Sequence, residues 1–373
     1  KKKKKKTKKR GVIEKMEEQL WRACWDGKVK KVTKLLQNSQ IDINWQDPEY
    51  SSTPFYVACA KGHIEIVKYM LSCGREIDIN KSLNSGATPF WIACYYGHIE
   101  IIKLLLNDNR VDINQATNDG AISFLIACYY GHIEIIKLLL KYKRIDINKV
   151  NNYGVTPFYM TCQNGHIEVV KLLLNDERID INKATSDGET PFWVACASGY
   201  TEIAKILLND NRIDVNKAKK DSSTPFFIAC YLGQIEIVKL LLNDERIDIN
   251  KATNNYWTPI LIACQEGHIE IIKLLKYKRI DINKPNTDGL TPFLIACAKG
   301  HIEVVKLLLS DPRVDINKAR NNGETPFYTA CQEGQIEIVK HLLHVEEKRR
   351  SIKPKMKVQH LFILLVTLGT LKL

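Results

Sequence analysis

Cys94 and His98 lie four residues apart, and the pair recurs at Cys59/His63, Cys128/His132, Cys162/His166, Cys264/His268 and Cys297/His301. A thiolate and an imidazole at that spacing are the beginning of a zinc site. Zinc needs four ligands converging within ~2.3 Å. Each unit supplies two, and the next pair lies a helix diameter away. Tyr200, Gln234 and Gln335 stand in the histidine position elsewhere. The same separation forbids a disulfide ladder, because bridged Cα atoms lie within ~7 Å. We read these residues as small buried cysteines beside turn-bonding histidines, with no metal and no cofactor. Cys73 is out of register and is the one expected to be exposed.

Other chemistry is equally sparse. The sequence has no HExxH, GxSxG or GxxxxGK[ST] motif. Its carboxylates return at fixed places (Glu100, Glu134, Glu168; Asp112, Asp146, Asp180), as solvated faces and turn-bonding groups do. No unit deviates toward a polar pocket, so a non-enzymatic protein is expected.

What positions these residues is a repeat. Units begin at Thr53, Thr88, Ile122, Thr156, Thr190, Thr224, Thr258, Thr291 and Thr325, with steps of 35, then 34 five times, then 33 and 34. All but the unit at Ile122 begin Thr-Pro, a hydroxyl cap followed by proline, whose missing N–H costs nothing at the first helical position. In the unit at Thr190, Phe192, Val194, Ala195 and Cys196 form a first apolar run. Gly199 breaks it, and Ile203 to Leu208 shows the i, i+3, i+4 spacing of a second amphipathic helix. Helices this short bury their faces only by stacking against copies of themselves, which explains the fidelity of the repeat. Leu20 to Leu36 matches the pattern without Thr-Pro, and its preceding Glu14, Lys15, Glu17 and Glu18 are polar, as in a terminal cap.

The pattern TPFxxAC-xx-GHIEIVKLLL-(loop)-DIN resembles the ankyrin repeat. The resemblance covers roughly residues 14–344 and implies an all-α repeat solenoid of about ten stacked helix pairs with loop or β-turn fingers. The family's TPLH histidine is replaced by Tyr56, Trp91, Leu125, Tyr159, Trp193, Phe227, Leu261, Leu294 and Tyr328, so its hydrogen bond is expected to give way to apolar packing. The glycine that closes the second helix is mostly lost, and one residue is gained there. Two units are irregular. Ile122-Ser123 lacks both cap and proline, at a cost of about 1 kcal/mol. Residues 271–283 lack one leucine relative to 135–148, which predicts a distortion near Leu275.

Charge separates the ends from the body. Of the net +13, residues 1–10 carry +9 and residues 345–373 carry +5, leaving −1 between them. A neutral body releases no counterions from a phosphate backbone, so nucleic-acid binding through the repeats is not expected. The division read from the sequence is a disordered polybasic tail (1–12), the repeat array (13–344) and a basic, then apolar tail (345–373). Leu361 to Leu371 is too short for the roughly 20 residues of a membrane span. The lysine run lacks an apolar h-region, and the eleven cysteines are odd in number. Both point to an intracellular, reducing setting, cytoplasmic first, with nuclear or membrane-peripheral placement as alternatives.

Between units, the two residues after the register cysteine vary most: Ala60-Lys61, Tyr95-Tyr96, Tyr129-Tyr130, Gln163-Asn164, Tyr231-Leu232. In ankyrin-like proteins this helix end and the finger before Thr-Pro line a concave binding surface. The resemblance thus implies a scaffold or adaptor that binds another protein, as a monomer. The candidate contact residues are Tyr95, Tyr96, Tyr129, Tyr130, Tyr231 and Leu232, with the finger aromatics Trp45, Tyr153, Tyr256 and Trp257. Two other readings remain: a peripheral membrane protein held by its tails, and the targeting arm of a larger protein.

Overall fold

The computed structural model describes the backbone of residues 2–276 and 278–349 and the side chains of 11–276 and 278–345. Among these the chain forms twenty helices and no strand, in two compact units that divide between Ser186 and Asp187.

The first unit pairs α1 (Lys2–Trp25) with α2 (Val29–Leu36), α3 (Pro54–Ala60) with α4 (Ile64–Ser72), and α5 (Pro89–Tyr96) with α6 (Ile99–Leu106). It ends with α7 (Ser123–Tyr130) and α8 (Ile133–Leu140), then α9 (Pro157–Gln163) and α10 (Ile167–Leu174). The second unit repeats this with α11 (Pro191–Ala197) and α12 (Thr201–Leu208), α13 (Pro225–Tyr231) and α14 (Ile235–Leu241), and α15 (Pro259–Glu266) and α16 (Ile269–Lys276). It closes with α17 (Pro292–Lys299) and α18 (Ile302–Leu309), then α19 (Pro326–Gln332) and α20 (Ile336–Arg349). Within each unit the first helices stack on first helices and the second on second. Phe55, Phe90, Phe124 and Phe158 are fully buried in the first unit, and Phe192, Phe226 and Phe293 in the second. Helix α1 begins at Lys2, within the segment 1–12 read from the sequence as a polybasic tail. Helix α20 passes the expected boundary at 344 and reaches Arg349.

Local chemistry explains the helix ends. In eight copies the threonine hydroxyl accepts from the N–H three residues on, as Thr88 does from Trp91 at 3.0 Å. At the second helices' ends the gained residue has a use. Arg246 is held by Asp244 and reaches back to Leu208 O at 2.8 Å, and Arg313 does the same from Asp311 to Lys276 O at 2.6 Å. The arginine thus satisfies a helix-end carbonyl of the preceding repeat, a task the family gives to a closing glycine motif. These arginines hold the Asp244 and Asp311 carboxyls below the usual carboxylate range.

Asparagine of the DIN tripeptide forms a second clasp. Asn114 donates to Arg144 O (2.7 Å) and accepts from Asp146 N (3.0 Å), and Asn148 does so with Arg178 O (2.6 Å) and Asp180 N (2.9 Å). Each side chain acts as an extra peptide group between repeats.

The irregular copies behave differently from each other. The missing leucine leaves Leu275 fully buried, and the loop beyond takes up the change. There Ile280 N bonds two residues back to Lys278 O (2.8 Å), whereas Ile247 N bonds three back to Asp244 O. The clasp from Asp281 N to Asn250 Oδ1 stretches to 3.4 Å. At α7, Ile122 caps nothing and the Ser123 hydroxyl is buried with no partner. Ile122 already has the extended backbone (φ −90°, ψ 165°) that a following proline requires. Ser123→Pro should therefore stabilise the protein by about 1–2 kcal/mol, through lost unfolded-state freedom and removal of the stranded hydroxyl. A rise in the urea midpoint at unchanged slope checks this.

Candidate functional site

The six recurring histidines are structural clasps. His98 Nε2 lies 3.0 Å from Ala60 O, His132 Nε2 is 3.1 Å from Tyr95 O, and His166 Nε2 is 2.8 Å from Tyr129 O. A carbonyl only accepts, so the proton belongs on Nε2. Gln234 and Gln335 make the same bond to Ala197 O and Ala298 O, which explains their interchange with histidine. Among the described residues no three His, Cys, Asp or Glu side chains gather in metal-binding reach.

The ten register cysteines are buried, and burial pushes their thiols up, to about 11 at Cys331. Cys73 is half-exposed. A maleimide should accordingly label one thiol of the native protein quickly and the other ten only on unfolding, since the thiolate reacts and access controls it. Mass spectrometry giving two or more fast sites would contradict this burial pattern.

The tyrosines form one connected surface in the first unit. Tyr95 meets Tyr96 at 4.9 Å between ring centroids and Tyr130 at 4.8 Å, both edge-on, and Tyr130 meets Tyr129 at 4.8 Å. Trp91 stacks on Tyr95 from below at 5.4 Å. Tyr96, Tyr129 and Tyr130 are exposed, Tyr96 by 56%. Tyr95 is half-buried. A hydrogen bond to Tyr95 pushes the Tyr130 phenol up to about 12. His98 lies tilted beside Tyr96 and His132 stacks on Tyr130, and both pin the backbone of the preceding repeat.

The junction beneath this surface breaks the rules that the other copies obey. Trp21 Nε1 donates to Ser52 Oγ (2.8 Å) and Trp193 Nε1 to Ser223 O (3.2 Å), so tryptophan in the TPLH-histidine position restores a bond we expected to be lost. Trp91 does not. Its indole N–H is buried without a partner, although the matching carbonyl, Ala121 O, accepts from Thr117 N as Ser223 O does from Lys219 N, at 3.0 Å each. The stranded Ser123 hydroxyl belongs to the same junction of α5 and α7.

The remaining candidates are scattered. Tyr153 protrudes from a finger of the first unit, 68% exposed, while Trp45 is half-buried. In the second unit Tyr231 and Leu232 are exposed side by side, and Tyr256 is 57% exposed beside a half-buried Trp257. Tyr256 sits at φ +60°, the place of glycine in most fingers. Four exposed aromatics are not among the candidates: Tyr200 and Tyr328, which hold the turn-histidine and TPLH-histidine positions of their repeats, and Trp25 and Tyr50. Trp25, after Cys24, matches Tyr95 after Cys94, but the N-terminal unit had been set aside as a cap. It is exposed, stacks on Trp21 at 5.2 Å and carries Lys61 Nζ 3.7 Å over its ring. Tyr50 lies in a finger one residue longer than the rest, where register alone does not place it.

Stacked two-helix repeats joined by fingers, with side chains left over at the first-helix ends, define a binding solenoid. The profile described as ankyrin repeats (three copies) matches residues 20–117, 124–219, 211–286 and 279–353, and the chain belongs to the ankyrin repeat family. It is similar to the human protein named Ankyrin repeat domain-containing protein 7, at 40% identity over 52 residues, 14% of this chain. The match spans 20% of that protein's length. Ankyrin repeats are in general protein–protein interaction modules, and the family is typically non-enzymatic. No helix among the described residues is long and apolar enough to cross a membrane. The basic and apolar C-terminal segment beyond Arg349 lies outside the described residues.

Proposed function

We propose that this chain is a non-enzymatic adaptor that binds another protein through its first-helix ends and fingers, with the tyrosine surface of the first unit as the principal contact. One observation carries this reading: four tyrosine rings in continuous edge contact, three of them exposed, over a junction whose polar groups are left unsatisfied. Tyrosine offers large rigid area with a polar tip, and aromatic residues dominate interface energetics. Departures from local rules concentrate where a sequence serves something besides stability. Tyr153, Tyr231, Leu232, Tyr256, Trp257 and Trp45 would add secondary contacts in their own units.

The test is a triple variant, Tyr96→Ala, Tyr129→Ala and Tyr130→Ala. All three rings are exposed, so the helical circular dichroism and the urea midpoint should stay close to those of the parent. The amount of protein retained from a cell extract should fall at least tenfold. Retention equal to that of the parent would remove the tyrosine surface from the function.

A further inference from the structure

We propose that the tyrosine surface takes a proline-rich segment in the polyproline II conformation, with an acidic residue at the end lying over Lys61. This rests on the reading above that the surface binds protein, and adds the chemistry of what binds.

The argument begins with pitch. In the first unit the second position after the register cysteine runs along successive first helices as Asp26, Lys61, Tyr96 and Tyr130, all exposed, and Trp25 lies one position earlier, beneath Lys61. Packed helices lie about 8–10 Å apart, so this row advances by that distance per repeat. A polyproline II helix turns once in three residues and advances about 9.3 Å, and so presents an equivalent ring at nearly the same pitch. An α-helical partner brings side chains to one face about every 5.4 Å, and a strand about every 6.8 Å. Neither stays in step. A strand would also need a sheet edge, and the described residues have no strand.

Ring geometry fits the same occupant. Tyr96 and Tyr130 each meet the half-buried Tyr95 ring edge-on, at 74° and 66°. The two centroid distances hold the Tyr96 and Tyr130 rings within about 9.7 Å of each other, within reach of one turn of such a segment, about 9.3 Å.

Hydrogen bonding and charge narrow the chemistry. The polar tips of these rings are phenols; the Tyr130 hydroxyl is engaged with Tyr95, and that of Tyr96 can donate outward. A proline-rich segment has carbonyls to accept and few N–H groups to satisfy. No formal charge lies within the ring cluster, which favours an uncharged stretch there. Next along the row, Lys61 is exposed and rests on the Trp25 ring with no carboxylate in salt-bridge reach, while the nearby Asp26 is paired with Lys28 at 2.6 Å. Lys61 is therefore the cation open to a carboxylate on the partner.

The experiment uses the full chain and synthetic peptides about 15 residues long, built of Pro-Pro-Ala triplets with two glutamates at one end or the other. Affinity is measured by fluorescence polarisation. Saturable binding is expected for one of the two polarities. Tyr96→Ala and Tyr130→Ala should each weaken it about tenfold or more, with circular dichroism unchanged. A peptide of the favoured polarity with lysines in place of the glutamates should bind the parent more weakly and Lys61→Glu more tightly. Three results overturn the proposal: no saturable binding at either polarity, equal binding of an alanine-for-proline control, or binding unaffected by Tyr130→Ala. A photo-crosslinking residue at position 96 separates this failure from that of the parent reading. Crosslinks to a protein without proline-rich sequence keep the surface and discard the ligand; no crosslink at all discards both.

Discussion

Gly154→Ala should lower the stability of the first unit by about 2–3 kcal/mol, although it adds one methyl group to an exposed finger. Two terms combine. Gly154 sits at φ +75°, where an L-residue costs roughly 1–2 kcal/mol. The new Cβ would also lie 2.5 Å from Ser186 N, a backbone atom with no side-chain freedom to move aside. That N–H donates to Tyr153 O at 2.8 Å, and the clash must lengthen or break this bond, adding about 1 kcal/mol. Tyr256 supplies the opposite test. It keeps a bulky residue in the same conformation at φ +60°, and the finger bond beyond it, Thr287 N to Asn255 O, is 3.2 Å. Tyr256→Gly should therefore stabilise by about 1 kcal/mol. Urea unfolding of both variants measures the pair. Equal midpoints for Gly154→Ala and parent would mean that finger-to-finger contact contributes nothing.

Asn148→Leu should cost about 2 kcal/mol, more than its half-exposed position suggests. The side chain serves two peptide groups of the next repeat, donating to Arg178 O and accepting from Asp180 N. Each net bond is worth about 1 kcal/mol, and water compensates only in part. Asn148→Asp keeps the acceptor but sets a carboxylate against the Arg178 carbonyl, so it should not rescue. The loss should also be local first: amide exchange at Asp180 should quicken by about tenfold before global unfolding shifts it. A leucine variant with parental stability and parental exchange would reduce the asparagine clasp to a surface coincidence.

These two cases show what was legible in the residues and what was not. The helix pairs, their caps and their buried Phe and Cys rows follow from spacing alone, because a unit that cannot bury its own face must match its neighbours. The structural role of the histidines was legible too, but the identity of their acceptors was not: His132 meets Tyr95 O only because the repeats stack, thirty-seven residues apart. Trp21, Trp193 and Trp91 share one sequence position and look alike, yet two find acceptors and the third does not. Trp21 meets the Ser52 hydroxyl and Trp193 the Ser223 carbonyl, so the outcome depends on where the neighbouring repeat places an acceptor.

The same division holds for the site. Confined variation after the register cysteine singled out Tyr95, Tyr96, Tyr129 and Tyr130, since residues not needed for stacking are free to change. That Tyr95 would be half-buried, with Tyr96 and Tyr130 meeting it edge-on, depends on the offset between α5 and α7. The gained residue in the loops was visible as a count, but its use as an arginine reaching back to the previous helix end was not. The sequence by itself determined the repeat, its period and the residues that hold it, because short amphipathic helices have one way to hide their faces. Only the tertiary structure decided which leftover rings meet, which polar groups go unsatisfied and where Lys61 rests, because those outcomes depend on distances between repeats that no local pattern encodes.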